Sequence, residues 1–247
     1  MDRKPHPDDS NPAHETLAVV LQVRDDRLLV LLWKRALAPH AGRWALPGGR
    51  LDPAELLEAS IRRHLAAKVD VREVSHLEQL ETRADPPNRR VTTAYLGLVR
   101  TGLDPAIPGD TSWHPVDALP PTAFDHGAIA LAGRERLRAK LSYTNLGFAL
   151  APETFTISEL RDLYAAALGH EVSATNLQRV LLRRSVLAPT GERRPSGRAG
   201  GRPAEAYRFR ASGLEITDQF AVLRPPSRAA RRPSASAGLA RGRFGKR

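Results

Sequence analysis

Cysteine is absent from this chain of 247 residues, which excludes a disulfide framework and a thiolate zinc site and suits the cytoplasm. The eight histidines are scattered without the spacing of metal ligands, so they read as ordinary surface or core residues. No apolar run approaches the length that crosses a bilayer, which argues against a membrane partner. A secretory leader is also missing: residues 1–15 are polar, rich in Pro and His, and read as a disordered arm. Acid is scarce in one part of the chain. Residues 1–141 hold 20 Lys and Arg against 19 Asp and Glu, whereas residues 142–247 hold 18 against 8.

That basic excess is almost all Arg, the electrostatic footprint of a nucleic-acid partner. A GC-rich genome would also favour Arg, so the arrangement of the residues has to decide. The length suffices for one domain of ordinary size and a second small one. We read residues 16–141 as the first, residues 142–224 as the second, and residues 225–247 as a disordered Arg-rich tail that adds non-specific affinity for nucleic acid.

In the first domain, apolar branched runs at residues 17–23 and 27–34 are joined by Asp25-Asp26 and predict a β-hairpin. Residues 74–81 and 91–99 read as strands around a polar, mobile loop at 83–90. Leu119-Pro120-Pro121 marks a turn before a helix over 125–141. Strands and helices alternate without βαβ regularity, so a doubly wound sheet is not expected.

Between these elements lies Arg43-Trp44-Ala45-Leu46-Pro47-Gly48-Gly49, followed by another helix. Asp52 is placed as its N-cap, with Pro53 at the first helical position and Glu55 as the reciprocal acid. Leu57, Ile61 and Leu65 recur at a spacing of four and predict a buried stripe. A different face carries Ser60, His64, Ala67 and Lys68. Magnesium takes hard oxygen ligands, and this face offers an imidazole, a methyl and an ammonium. Lys68 is better suited to stand near a ligand phosphate as a point charge. Glu55 and Arg63 read equally well as a cap and a structural ion pair.

The second domain opens with a capping box, Thr156-Ile157-Ser158-Glu159, ahead of the apolar positions Ile157, Leu160, Leu163 and Tyr164. Gly169-His170 breaks that helix, and Ser173 caps the next one. There Leu177, Val180 and Leu181 face inward, while Thr175, Asn176, Arg179 and Arg183 point elsewhere. Asn pairs with adenine and Arg with guanine in the major groove, so this pair of helices suits a helix-turn-helix. Strands at 186–189 and 206–210 then flank a loop over 190–204 that carries Arg193, Arg194, Arg198 and Arg202. This is the pattern of a wing, placed to meet phosphates or a narrow minor groove.

The segment from Arg43 to Gly49 and its helix resemble the Nudix box. Gly49, Glu55, Arg63, Leu65 and Val71 fall in register with it; the three acidic positions that hold metal in the family are here His64, Ala67 and Lys68, and the later Gly is Asp70. The whole chain resembles the Nudix-related transcriptional regulators of the NrtR type, over roughly residues 15–212. Further carriers of the likeness are Phe124-Asp125-His126, Tyr143-Thr144-Asn145-Leu146-Gly147-Phe148, the stretch 155–164, and Gly201-Arg202-Pro203-Ala204-Glu205-Ala206-Tyr207-Arg208-Phe209.

The resemblance implies an α+β fold, a Nudix-type α/β/α sandwich followed by a winged helix-turn-helix. It implies a homodimeric repressor of NAD-metabolism genes on a double-stranded operator, with ADP-ribose or a related nucleotide as effector and no catalytic cofactor. For the effector, the turn Gly48-Gly49-Arg50 is expected to approach the pyrophosphate, and Arg43 and Lys68 to neutralise it. Phe124 or Tyr95 is expected to stack on adenine or line the ribose, with core packing the alternative for both. His126 is expected to be structural or a hydrogen-bond donor to the ligand. Two other functions fit the sequence. One is an active hydrolase in which Glu55, Glu58 or Glu81 gathers a magnesium ion beside an accessory DNA domain. The other is an RNA-binding protein that works through its tail.

Overall fold

In the computed structural model, residues 13–85, 90–194 and 203–218 are described. The expected tail, most of the expected arm, Arg198 and Arg202 lie outside them. Residues 13–15 of that arm belong instead to the first strand, β1 (Ala13–Arg24). It turns through Asp25 and Asp26, both at positive φ (46° and 57°), into β2 (Arg27–Lys34), with Arg24 opposite Arg27. Asp tolerates this left-handed conformation, and a two-residue turn of this kind matches strand twist, so the hairpin forms where predicted.

Short strands β3 (Trp44–Ala45) and β4 (Gly48–Arg50) lead to α1 (Leu57–Val69). Then come β5 (His76–Asp85), β6 (Arg90–Leu98), β7 (Thr111–Pro115) and α2 (His126–Tyr143). The sheet runs β3-β2-β1-β6-β5, with β4 also on β1 and β7 also on β2. β1 and β6 are parallel, and β1 pairs antiparallel with β2 and β4. Helix α1 covers one face through Ile61, Leu65 and Val69, packed on Val20, Leu31 and Tyr95. Helix α2 covers the other through Ile129 and Leu137. This is the expected sandwich.

The second domain holds a 3₁₀ turn (Leu146–Ala149), β8 (Phe155–Thr156), α3 (Ile157–Leu168), α4 (Ala174–Arg183), β9 (Leu187–Arg194) and β10 (Ala204–Phe209). Both faces of the capping box at Thr156 and Glu159 are made. Gly169 ends α3 at φ 74°, and the Ser173 side chain accepts from the Asn176 N–H at the start of α4. The strands order β8-β10-β9. Helix pair and small sheet make the winged helix.

The two domains share a core. Leu21, Leu32 and Leu96 of the large sheet continue into Leu146, Phe155, Leu160 and Leu181. The motif around Asn145 explains part of this joint. The Asn145 amide donates to Gly213 O (2.8 Å) and accepts from the Glu215 N–H (2.7 Å), and Phe148 packs edge-on to His76.

Several expectations need correction. Helix α1 starts at Leu57, behind a turn in which the Glu55 N–H donates to Asp52 O (3.1 Å). The Glu55 carboxylate is drawn to Arg63 (2.6 Å), so the acid serves the turn and not the helix cap. The loop assigned to 83–90 is shorter, because cross-strand pairing continues through Asp85 and resumes at Arg90. Strand β9 likewise runs to Arg194, which puts Arg193 and Arg194 on a strand facing Glu205 and Ala204. Val180 is half-buried, and the boundary placed at Ser142 falls in the last turn of α2.

Candidate nucleotide cavity and nucleic-acid interface

The end of β2, the β4 turn and the loop before α2 converge because their backbones are stitched together. The Ala123 N–H donates to Trp44 O (2.7 Å), and the Ala18 N–H donates to Pro47 O (2.9 Å). The Leu46 N–H donates to Nδ1 of His126 (3.0 Å). Between them lies a cavity of about 380 Å³, within the range of small-molecule sites. Arg35, Lys68 and Arg90 bring three cations to its wall, and Glu15, 3.7 Å from Arg90, brings one acid. Trp33 and Phe124 supply aromatic surface, and Gly48 and Gly49 supply open backbone. A second cavity of about 430 Å³ shares Glu15, Leu17, Arg90, Phe124 and His126 as walls. The two adjoin along these shared residues. A roomier cavity of about 550 Å³ between the domains mixes Asp26, Asp117 and Asp162 with Arg27, Arg134 and Arg138. It concentrates neither charge sign nor aromatic surface, so the sheet cavity is the better ligand site.

Phe124 sits at φ 50°, a strained conformation for a bulky side chain. The guanidinium groups of Arg35 (5.0 Å) and Arg90 (5.2 Å) both stand over its ring, with the His40 ring edge-on at 4.7 Å. His126 is buried, and loss of solvation pushes its imidazole down to about 4, so the ring is neutral. Because Nδ1 accepts from Leu46, the proton belongs on Nε2, which becomes a donor to whatever fills the groove.

The face of α1 in register with the metal-binding acids has other work. Burial pushes the His64 imidazole below its usual range, and Nε2 donates to Arg50 O (2.9 Å). The ring lies so close under Gly49 that an added Cβ would stand 2.6 Å from it. Ala67 is exposed, and Lys68 donates to Gly48 O (2.6 Å). Arg63 binds Glu55 and holds its carboxyl at about 2. Glu58 pairs with Arg62 and Glu81 with Arg83. Among the described residues no group of three or more His, Asp or Glu is placed to hold a metal ion. The donor set on this face does not fit magnesium.

Of the effector residues expected from the sequence, Gly48, Gly49, Lys68, Phe124 and His126 line the cavity together. Arg43 is exposed and falls outside its wall, and Arg50 presents its carbonyl to His64 and Arg63. Tyr95 does not line the cavity; it is buried in the α1 core beside Ala18 and Ile61, because the register pairs it with Ala18 on that side. Sequence reasoning missed Trp33, Arg35 and Arg90. The first two were signalled by an aromatic and a cation two residues apart at a strand end. Arg90 had no signal, since it arrives through the parallel pairing of Ala13 with Arg90.

On the second domain, Thr175, Asn176, Arg179 and Arg183 form an exposed face of α4, with Leu177 and Leu181 buried behind them. The Arg179 guanidinium donates to Oδ1 of Asn176 (2.7 Å), which holds both side chains out in one orientation. Gln178 donates to the Tyr207 hydroxyl (3.1 Å), fixing α4 against the wing strand. Arg194 turns back to Thr154 O (2.9 Å), so Arg193 is the freer of the two expected wing cations. Arg208, not anticipated, is exposed on β10.

A Nudix-type sandwich with a cation-rich cavity, sharing its core with a winged helix, defines a one-component regulator. Comparison with known proteins agrees. A NUDIX domain profile matches residues 12–131, and a profile described as the NrtR DNA-binding winged helix domain matches residues 147–209. The chain is 31% identical to an ADPR responsive transcriptional repressor of Acinetobacter baylyi, over 77% of this chain and 79% of that protein. It is similar in structure to Shewanella oneidensis NrtR, with TM-score 0.69 and 33% identity over 79% of this chain and 93% of that one. For the same protein complexed with a 27mer DNA, the TM-score is 0.66 at 32% identity, over 79% and 92% of the two chains. The chain belongs to the NrtR family of Nudix-related transcriptional regulators.

Proposed function

We propose that this protein is a transcriptional repressor that senses ADP-ribose or a related nucleotide and does not hydrolyse it. The observation that carries this reading is the groove: three cations and two aromatic rings around a glycine turn, with no acid cluster for metal among the described residues. ADP-ribose places a diphosphate between two sugar units, which suits cations at the waist of a bipartite cavity. In this reading Trp33 and Phe124 meet the base or ribose, and His126 donates from Nε2. The NrtR likeness extends the proposal to a homodimer acting in the cytoplasm on operators of NAD-metabolism genes. A dimer would set two α4 helices into successive major grooves.

Contacts along α2 support a route from the groove to α4. Phe124 and His126 stand at the start of α2, whose 18 residues span about 27 Å. Along α2, Arg138 donates to Ala167 O (3.3 Å) at the end of α3. At its far end Ser142 O accepts from Arg184 (2.9 Å), which follows α4 and pairs with Asp218 (2.7 Å). A ligand that moves Phe124 out of its strained conformation would shift α2 and with it the recognition helix. Effector and DNA would then oppose each other by the same factor in both directions. Tenfold to hundredfold weakening needs about 1.4–2.7 kcal/mol.

The non-catalytic half of the reading has its own test. ADP-ribose incubated with the full chain and magnesium or manganese is expected to be recovered intact by chromatography. Release of AMP and ribose 5-phosphate at enzymatic rates would instead support the active hydrolase.

A further inference from the structure

We propose that the Lys68 ammonium takes the place magnesium holds in metal-dependent Nudix domains, as a built-in counter-charge for the effector's diphosphate, so that nucleotide binding needs no divalent cation. This deepens the nucleotide-sensing reading and rests on it.

Lys68 stands at a box position where the family pattern has a metal-binding acid, so substitution there reverses the charge. Its placement makes that charge available. The side chain is half-buried, lines the cavity, and reaches the glycine turn through Gly48 O at 2.6 Å. Nζ lies 4.9 Å over the Trp33 ring, which steadies a cation without neutralising it. An ammonium has three donors, and Gly48 O takes one of them. Among the described residues no carboxylate pairs with Lys68 within salt-bridge distance. The nearby cations Arg35 and Arg63 add repulsion, and the Glu15 carboxylate across the cavity opposes it.

Burial first and the Arg35 charge second lower the affinity of Lys68 for its proton, and the charge of an anion beside it would oppose both. The groove thus holds a partly desolvated cation, a spare donor, and open glycine backbone beside it. The other two positions that would help hold a metal are closed: His64 is a neutral donor to Arg50 O, and Ala67 has no donor atom.

The test is calorimetric titration of ADP-ribose into the full chain, once with a chelator and once with millimolar magnesium. The unaltered protein is expected to bind equally well in both. Lys68→Met is expected to bind roughly tenfold to hundredfold more weakly in both, the usual worth of a charge-assisted hydrogen bond, and to melt a few degrees lower because the bond to Gly48 O is lost with it. Lys68→Glu is expected to bind most weakly in chelator and to recover in part with magnesium, since one carboxylate and the ligand phosphates then share the ion. A parent protein whose binding requires magnesium would overturn the inference without any variant. So would Lys68→Met binding as tightly as the parent. A parent that binds no ADP-ribose in either buffer removes the nucleotide-sensing reading itself, and this inference with it.

Discussion

Gly48→Ala is expected to destabilise the Nudix-type domain by about 2–6 kcal/mol, the summed range for backbone strain and overpacking, and to abolish nucleotide binding. Gly48 has φ +156°, and a Cβ there would stand 2.0 Å from Thr16 O and 2.8 Å from the Leu17 Cα. Both obstacles are backbone. They cannot move without breaking the register that pairs Leu17 with Gly48, and β1 is the centre of the sheet. A domain stable by about 5–15 kcal/mol would survive only in part. Gly42→Ala makes a useful contrast: φ is +78°, but no atom lies within 4 Å of the added carbon. That variant carries strain without collision and is expected to lose about 1 kcal/mol or somewhat more. Urea denaturation of the two variants separates the terms. Equal losses would show that the Thr16 collision does not matter.

The second large effect belongs to the other domain. Arg179→Ala combined with Arg183→Ala is expected to weaken binding to a selected duplex by roughly 2–6 kcal/mol, taking about 1–3 for each base-reading arginine. Both side chains are exposed on α4, and neither contributes to the core behind Leu177 and Leu181. Melting temperature and ADP-ribose affinity are therefore expected to stay at parental values. Fluorescence anisotropy with labelled duplex reads the first effect, and calorimetry reads the second. Undiminished DNA affinity would move the reading surface away from α4, with the wing residues Arg193 and Arg208 the next to examine.

The parts of this molecule legible in its sequence are those fixed by neighbours in the chain. Asp25-Asp26 sets the hairpin through its own backbone preference. Thr156 with Glu159, and Ser173, start their helices through bonds that span three residues. The stripe of Ile61 and Leu65 follows from helical period alone. What was not legible depends on pairings between distant segments. Trp33, Arg35 and Arg90 reach one cavity because β1 bridges β2 and β6, and β6 lies parallel to β1. Tyr95 shows the opposite failure: a strand's sequence does not say which helix covers which of its faces. Arg193 and Arg194 fall on β9 and not in the expected loop, because Gly191, at φ 82°, is absorbed in an irregular stretch of the β9–β10 pairing.

In the proposed function, one chain couples a nucleotide to release of DNA without consuming it. The measurement that meets it most directly is fluorescence anisotropy of a labelled duplex bound to the full chain, titrated with ADP-ribose in the presence of magnesium, with the nucleotide assayed afterwards. The complex is expected to dissociate as ADP-ribose rises, with apparent DNA affinity falling at least about tenfold, and the nucleotide to be recovered whole. An anisotropy that stays at its bound value through saturating ADP-ribose would contradict it.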